Sequence, residues 1–240
     1  MKIITIASLK GGVGKTTLAA FLAQSLSYAG HRVLAVDLDH NNNLTDYFLR
    51  DESPDELERR NIYHVLSRKK TIVESVFPTS FNLDILPATL CLARAGIEFS
   101  TDPGVVLRFP SALRKTDYDF VILDTPPALN LELSISLVAA DIVLSPVAWS
   151  RWTIQGYQLL ADETAKAVES TGREATIYAV PSIVTDIEAV KLRSMPLWTA
   201  TTQQITKNAV VKNAGTAGKA LRTSTKAWEE FAALAREIAL

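Results

Sequence analysis

The 240-residue chain has one cysteine, two methionines and three histidines. Cys91 alone cannot close an internal disulfide, which fits a reducing compartment, and it reads as a small buried residue rather than a nucleophile. No apolar run approaches the roughly 18 residues a membrane-spanning helix needs. The amino terminus opens directly on a strand pattern with no signal-peptide character. A cytoplasmic protein is therefore expected. Charge of one sign is also missing: 25 Lys and Arg stand against 26 Asp and Glu, for a net charge of −1 and a pI near 6.3. That balance excludes a uniformly basic nucleic-acid binder, though not a local patch. Internal repeats and low-complexity linkers are absent, and 48% hydrophobic content in 240 residues is enough to bury one core. One domain covering 1–240 is expected.

Within this unremarkable composition one stretch stands out. Lys10-Gly11-Gly12-Val13-Gly14-Lys15-Thr16-Thr17 follows the β-branched run Ile3 to Ile6 and precedes a helical pattern in which Leu18, Phe21, Leu22 and Leu26 share a face. Glycines at such a strand-to-helix corner let the main chain curl with its N–H groups inward. The helix then aims its positive end at the same point, so the corner is a phosphate cradle. Lys15 would reach the β- and γ-phosphates, and the Thr16 hydroxyl would ligate a bridging Mg²⁺. The common spacing Gly-x4-Gly-Lys-Ser/Thr is not met, because Leu9 occupies its first position.

Two further landmarks lie at strand ends. Val33 to Val36 runs into Asp37-Leu38-Asp39-His40-Asn41, and Phe120 to Leu123 runs into Asp124-Thr125-Pro126-Pro127. Carboxylates at the carboxyl ends of parallel strands face the ligand crevice of an open α/β sheet. Asp37 and Asp39 can therefore face the phosphates, and Asp124 can hold a water on the metal. Alternation of such strands with helical runs argues for a doubly wound, mostly parallel α/β sheet with helices on both faces, which with the phosphate loop after its first strand resembles the P-loop NTPase fold. The Asp46 to Glu58 stretch reads as a solvated acidic loop and helix, Gly156 to Val168 as a helix, and Trp149 and Trp152 as packing residues.

Lys10 to Thr17 resembles the deviant Walker A motif of the ParA/MinD family of ATPases, and the similarity extends along the chain. Asp37-Leu38-Asp39 resembles the family's Asp-x-Asp-Pro-Gln motif, with His40 and Asn41 in place of proline and glutamine. Asp124-Thr125-Pro126-Pro127 is similar to its switch II, and Ile205-Thr206-Lys207-Asn208 to its Ile-Pro-Arg-Asn segment. The resemblance implies an ATP- and Mg²⁺-dependent ATPase, slow and stimulated by a partner. Catalytic roles would fall to Lys10, Lys15 and Asp39, Asp39 orienting the attacking water and Lys10 crossing to the partner subunit's nucleotide in a homodimer. Nucleotide contacts would come from residues 10 to 17 (Lys10, Gly11, Gly12, Val13, Gly14, Lys15, Thr16, Thr17), with Ser182 where the family places a base-reading asparagine, and from Lys207. Thr16, Asp124 and Asp37 are the metal candidates.

Partners are suggested by charge along the chain. Between Ala189 and Trp228 there are seven cations and no Asp or Glu. Lys191, Arg193, Lys207, Lys219 and Arg222 are the candidates for non-specific DNA contacts, as in small ParA proteins lacking an N-terminal DNA-binding extension. That likeness also implies a ParB-like cargo-binding partner and nucleoid association when ATP is bound. The alternative, a MinD-like membrane-cycling regulator, needs a basic amphipathic tail. The last helix, Ala227 to Leu240, instead carries Glu229, Glu230 and Glu237, so no membrane partner is expected. A reading like the nitrogenase iron protein needs cluster-ligating cysteines, and Cys91 lies outside switch II.

Overall fold

The computed structural model describes residues 1–239, so Leu240 of the expected last helix lies outside the described residues. Four apolar runs form the centre of the sheet: β1 (Lys2–Ile6), β2 (Val33–Asp37), β5 (Phe120–Asp124) and β6 (Ile142–Val147). Between β2 and β5 lie the short strands β3 (Phe77–Pro78) and β4 (Asp84–Leu86), and β7 (Thr176–Val184) and β8 (Ile205–Thr206) follow β6. The spatial order is β3-β4-β2-β5-β1-β6-β7-β8, parallel throughout except for the β3–β4 pair. This is the doubly wound, mostly parallel sheet that the alternating pattern calls for.

Each central strand is buried on both sides, as parallel strands covered by crossover helices must be. Side chains alternate between two apolar layers. Ile4, Ile6 and Ile122 join one layer with α1 (Lys15–Tyr28) and α11 (Lys226–Ala239); Ile3, Val121 and Leu123 join the other with α4 (Ile62–Leu66), α6 (Val105–Leu113) and α7 (Leu131–Ala139). Between these come α2 (Asn43–Phe48), α3 (Pro54–Arg59), α5 (Ala95–Glu98), α8 (Arg151–Thr171), α9 (Asp186–Arg193) and α10 (Ala209–Ala217). Phe21 of α1 packs edge-on against Tyr47 and tilted against Phe231, which ties α2 and α11 to the helix that follows the glycine loop.

Several elements depart from the sequence expectations. The acidic Asp46–Glu58 stretch begins inside α2, whose Leu44, Tyr47 and Phe48 are buried in the core beside α1. Helix α8 begins at Arg151, well before Gly156, because Ser150 is extended and starts it; Gly156 lies inside the helix, where an added Cβ would sit 3.7 Å from Leu9. Trp149 and Trp152 are not packing residues. Lying at the first turn of α8, beyond the sheet, they are 46% and 58% exposed, with Lys191 over the Trp149 ring and Arg151 over that of Trp152.

Register sets the functional residues side by side. Asp124 pairs with Ile6 on one side and Asp37 on the other, so the last residues of β1, β5 and β2 form one row at the carboxyl edge. The chain leaves β1 at this row, makes the glycine loop and enters α1. Topology alone thus brings the loop, Asp37 and Asp124 to one crevice.

Candidate functional site

The glycine loop takes the conformation that only its glycines allow comfortably. Gly12 and Gly14 have φ of +74° and +89°, and Gly14 is the left-handed residue from which α1 starts. Val13 is buried, and its carbonyl accepts a hydrogen bond from the Ser182 hydroxyl at 3.0 Å. Ser182 is itself buried on β7. Its one hydroxyl proton therefore braces the phosphate loop. Ser182 also lines the cavity described below, on a strand that continues through Pro181 to Val184.

The two loop lysines point different ways. Lys15 is 7% exposed, and its Nζ lies 3.4 Å from the Lys10 carbonyl. Burial lowers its pKa, and the Asp124 and Asp39 carboxylates pull it back up, so both acids face this ammonium group. Lys10 turns away from the loop, and its Nζ donates to Ser150 Oγ at 3.0 Å. Sequence reasoning missed Ser150, which lies 140 residues away and matches no motif.

Three carboxylates differ in how they are held. Asp37 is fully buried; its Oδ1 accepts from the Asp39 N–H at 3.0 Å, and its Oδ2 from the Thr45 N–H and hydroxyl at 2.9 and 2.8 Å. Burial pushes its pKa up to about 6 against these donors. The Thr45 hydroxyl also accepts from the Ala88 N–H at 2.9 Å, so Asp37 fixes the β2 loop to the end of β4. With hydrogen bonds at both oxygens, Asp37 braces the β2 loop beside Asp124. Asp39 lies at the surface of the crevice, where its Oδ1 accepts from the Asn41 N–H at 3.0 Å and side-chain amide at 2.9 Å. His40 Nδ1 lies 3.9 Å from the same oxygen.

Asp124 stands apart. It is 1% exposed, and neither of its oxygens has a hydrogen-bond partner among the described residues. Burial and the Asp37 charge raise its pKa well above the usual range, while Thr16 and Lys15 oppose that rise. A buried carboxylate without a donor is expensive, and a cation is the natural complement. Thr16 at the start of α1 supplies a hydroxyl toward it. Among the described residues no cluster of three or more His, Cys, Asp or Glu could hold a metal. Mg²⁺ does not need one, since it keeps several waters and takes one or two protein oxygens beside phosphates.

These groups open into a cavity of about 860 Å³, lined by the glycine loop, Asp39 and Asn41 on one side and by residues 205–209 on the other. Lys207 stands exposed on the far wall, Asn208 caps α10, and Arg50 and Thr216 close the rim. The Ile205–Asn208 segment thus lines the same cavity as the glycine loop. Asn130, a second residue beside switch II, accepts from the Leu133 N–H and caps α7.

The proposed DNA cations do not form one free row. Arg193 donates to the Thr202 carbonyl and to Gln204 Oε1, clamping α9 to the next segment. Lys191 lies over Trp149, while Lys219 and Arg222 are exposed past the end of α10. The stretch without acids in sequence receives them in space from α11. Glu230 accepts from the Thr206 N–H and hydroxyl, and Glu237 from the N–H groups of Thr202 and Gln203.

A profile of the AAA_31 family, an AAA domain, matches residues 1–177. The sporulation initiation inhibitor protein Soj of Bacillus subtilis is 36% identical over 162 residues, 66% of this chain and 63% of that protein. The chromosome-partitioning ATPase Soj of Thermus thermophilus is 38% identical over 154 residues, 64% of this chain and 57% of that protein. The chain belongs to the ParA-type partition ATPase family. Its matched segment spans less than two thirds of the length of these relatives. In fold it is also similar to cobyrinic acid a,c-diamide synthase from Mycobacterium smegmatis, solved with ADP and magnesium. That likeness has a TM-score of 0.85 and 22% identity, and covers 99% of this chain and 94% of the other. At that identity the likeness is one of fold. No helix among the described residues is long and apolar enough to cross a membrane.

Proposed function

We propose that this member of the ParA-type family binds and hydrolyses ATP with Mg²⁺, dimerises on ATP, holds DNA non-specifically and is released when a cargo-bound partner stimulates hydrolysis. The supporting observation is the division between the two loop lysines. Lys15 is buried between Asp39 and Asp124 at the base of the cavity, whereas Lys10 leaves its own loop for Ser150. A long cation that does not serve its own pocket is available to a second copy's.

In the cavity, the N–H groups of residues 11 to 17 and the Lys15 ammonium would neutralise the β- and γ-phosphates. Thr16 and Asp124 would hold Mg²⁺, which would supply positive charge to offset that of the phosphates. Asp39, with one oxygen fixed by Asn41, would orient a water in line with the γ-phosphoryl group, so that positioning and charge neutralisation supply most of the rate. Lys207, which lines the cavity, would contact nucleotide more than DNA, and the exposed Lys219 and Arg222 would be the DNA cations. Arg193 serves as a clamp. The protein would act in the cytoplasm and on the nucleoid.

Gel shift on an unrelated duplex, run beside sedimentation with anionic liposomes, tests this reading in ATP and in ADP. Retention of DNA in ATP alone, with no liposome binding, is expected. ATP-dependent liposome pelleting would replace this reading with the membrane-cycling one, and DNA binding indifferent to nucleotide would refute the switch.

A further inference from the structure

A second cavity lies away from the nucleotide site. It has a volume of about 810 Å³ and shares no lining residue with the first, opening between the loop that follows α4 and helix α6. Its rim carries Arg68, Lys69, Lys70, Arg108 and Lys115. Two acids answer them. Asp102 is held by both guanidinium groups, which keep its carboxyl down at about 2, and Glu74 accepts from the Thr71 N–H and hydroxyl. Lys69, Lys70 and Lys115 have no ion-pair partner among the described residues, and the surplus is positive in a chain whose net charge is −1.

The floor of this groove is apolar. Leu66, Ile72, Val105 and Phe109 are buried in the layer beneath it, while Val73 and Leu107 stand at its rim 76% and 59% exposed. Lone surface aliphatics need no explanation, but two of them flanking a concave, cation-rimmed groove mark a binding surface. A nucleic-acid backbone is met by cations and hydrogen-bond donors and gains little from buried aliphatics. An amphipathic protein segment fits both features, with apolar side chains on the floor and carboxylates against the rim.

We propose that this groove docks an acidic amphipathic segment of a partner protein, with Lys70 and Lys115 reading its carboxylates and Val73 and Leu107 its apolar face. The surface is independent of the nucleotide site and of the DNA cations, so it stands or falls separately from the proposed ATPase cycle.

The probe is a fluorescein-labelled peptide of about 18 residues with Leu at the i, i+3, i+4, i+7 spacing of a helical face and Glu elsewhere. Its counterpart carries Gln for Glu. Anisotropy is measured on the full chain in about 0.15 M salt, where the screening length is about 8 Å. The acidic peptide should bind and its Gln counterpart should not. Binding should weaken about tenfold in Lys70→Glu with Lys115→Glu and again in Leu107→Ser, with ATP turnover and melting temperature unchanged. No binding to the wild-type chain would overturn the proposal, as would binding that both variants leave intact. Poly-glutamate binding as tightly as the amphipathic peptide would reduce the groove to counterion attraction. Displacement of the peptide by duplex DNA would make it a nucleic-acid surface. Loss of self-association in Lys70→Glu with Lys115→Glu, seen by sedimentation, would make the occupant a second copy.

Discussion

Replacing Gly14 by alanine tests whether the phosphate loop is held in shape by the packing described. The residue sits at φ +89° and ψ 26°, and an added Cβ would lie 3.2 Å from Ser182 Oγ and 3.3 Å from Ile183 Cδ1. Placing an L side chain in the left-handed region costs about 1–2 kcal/mol. Making room for the methyl group moves Ser182 off the Val13 carbonyl, a hydrogen bond worth about 1 kcal/mol net. Together these make about 2–3 kcal/mol, or about a 30- to 150-fold loss summed over nucleotide affinity and folding stability. Gly12 is the internal control. Its φ is +74°, but nothing lies within 4 Å of an added Cβ, so Gly12→Ala should show the backbone cost alone.

The assays are urea unfolding of the ligand-free protein and titration with a fluorescent ATP analogue. Combining Gly14→Ala with Ser182→Ala should recover part of the loss, with a coupling of about 1 kcal/mol in a double-mutant cycle. Equal effects from the two glycine substitutions, or strict additivity with Ser182→Ala, would refute the idea that Ser182 braces the loop.

Three further outcomes follow from the same geometry. Ser150→Ala removes the hydroxyl that holds Lys10 at 3.0 Å, so ATP-dependent dimers should form at about five- to tenfold lower protein concentration by light scattering; an unchanged midpoint would show that the contact holds nothing back. Asp124 has a folded pKa raised above its unfolded value, so its ionised form opposes folding once pH exceeds about 4, and fully so above the folded pKa. Asp124→Asn should therefore stabilise the metal-free protein by about 1–2 kcal/mol at pH 8 and less at pH 4, while abolishing Mg²⁺-dependent nucleotide binding; destabilisation that grows with pH would contradict this. Lys219→Glu with Arg222→Glu should lower the slope of log K against log salt for duplex DNA by about 2 with nucleotide affinity intact, and an unchanged slope would remove both from the DNA surface.

The central strands were legible because parallel strands covered on both faces must be apolar without a break, as Phe120 to Leu123 and Val33 to Val36 are. The convergence of Lys15, Asp39 and Asp124 was legible for a related reason: strand ends and a glycine loop meet at one edge whatever the side chains between them. What stayed hidden depends on contacts between distant segments. Ser182 meets the Val13 carbonyl across 169 positions, and Glu230 and Glu237 enter from α11 to accept from backbone N–H groups of a stretch that has no acid of its own. The engagement of Asp37 came from Thr45, an ordinary threonine whose position is set by a loop of no marked pattern. Trp149 and Trp152 read as packing residues on residue type, yet the early start of α8 leaves them exposed.

The most direct test of the shared pocket mixes two inactive variants. Lys10→Ala keeps an intact pocket but lacks the donated lysine, whereas Asp39→Ala keeps the lysine but cannot orient the water. If each copy lends Lys10 to the other, an equimolar mixture should recover about one quarter of wild-type ATP turnover, since half of the dimers are mixed and one pocket in each is complete. A mixture as inactive as its two components would show that Lys10 serves its own pocket.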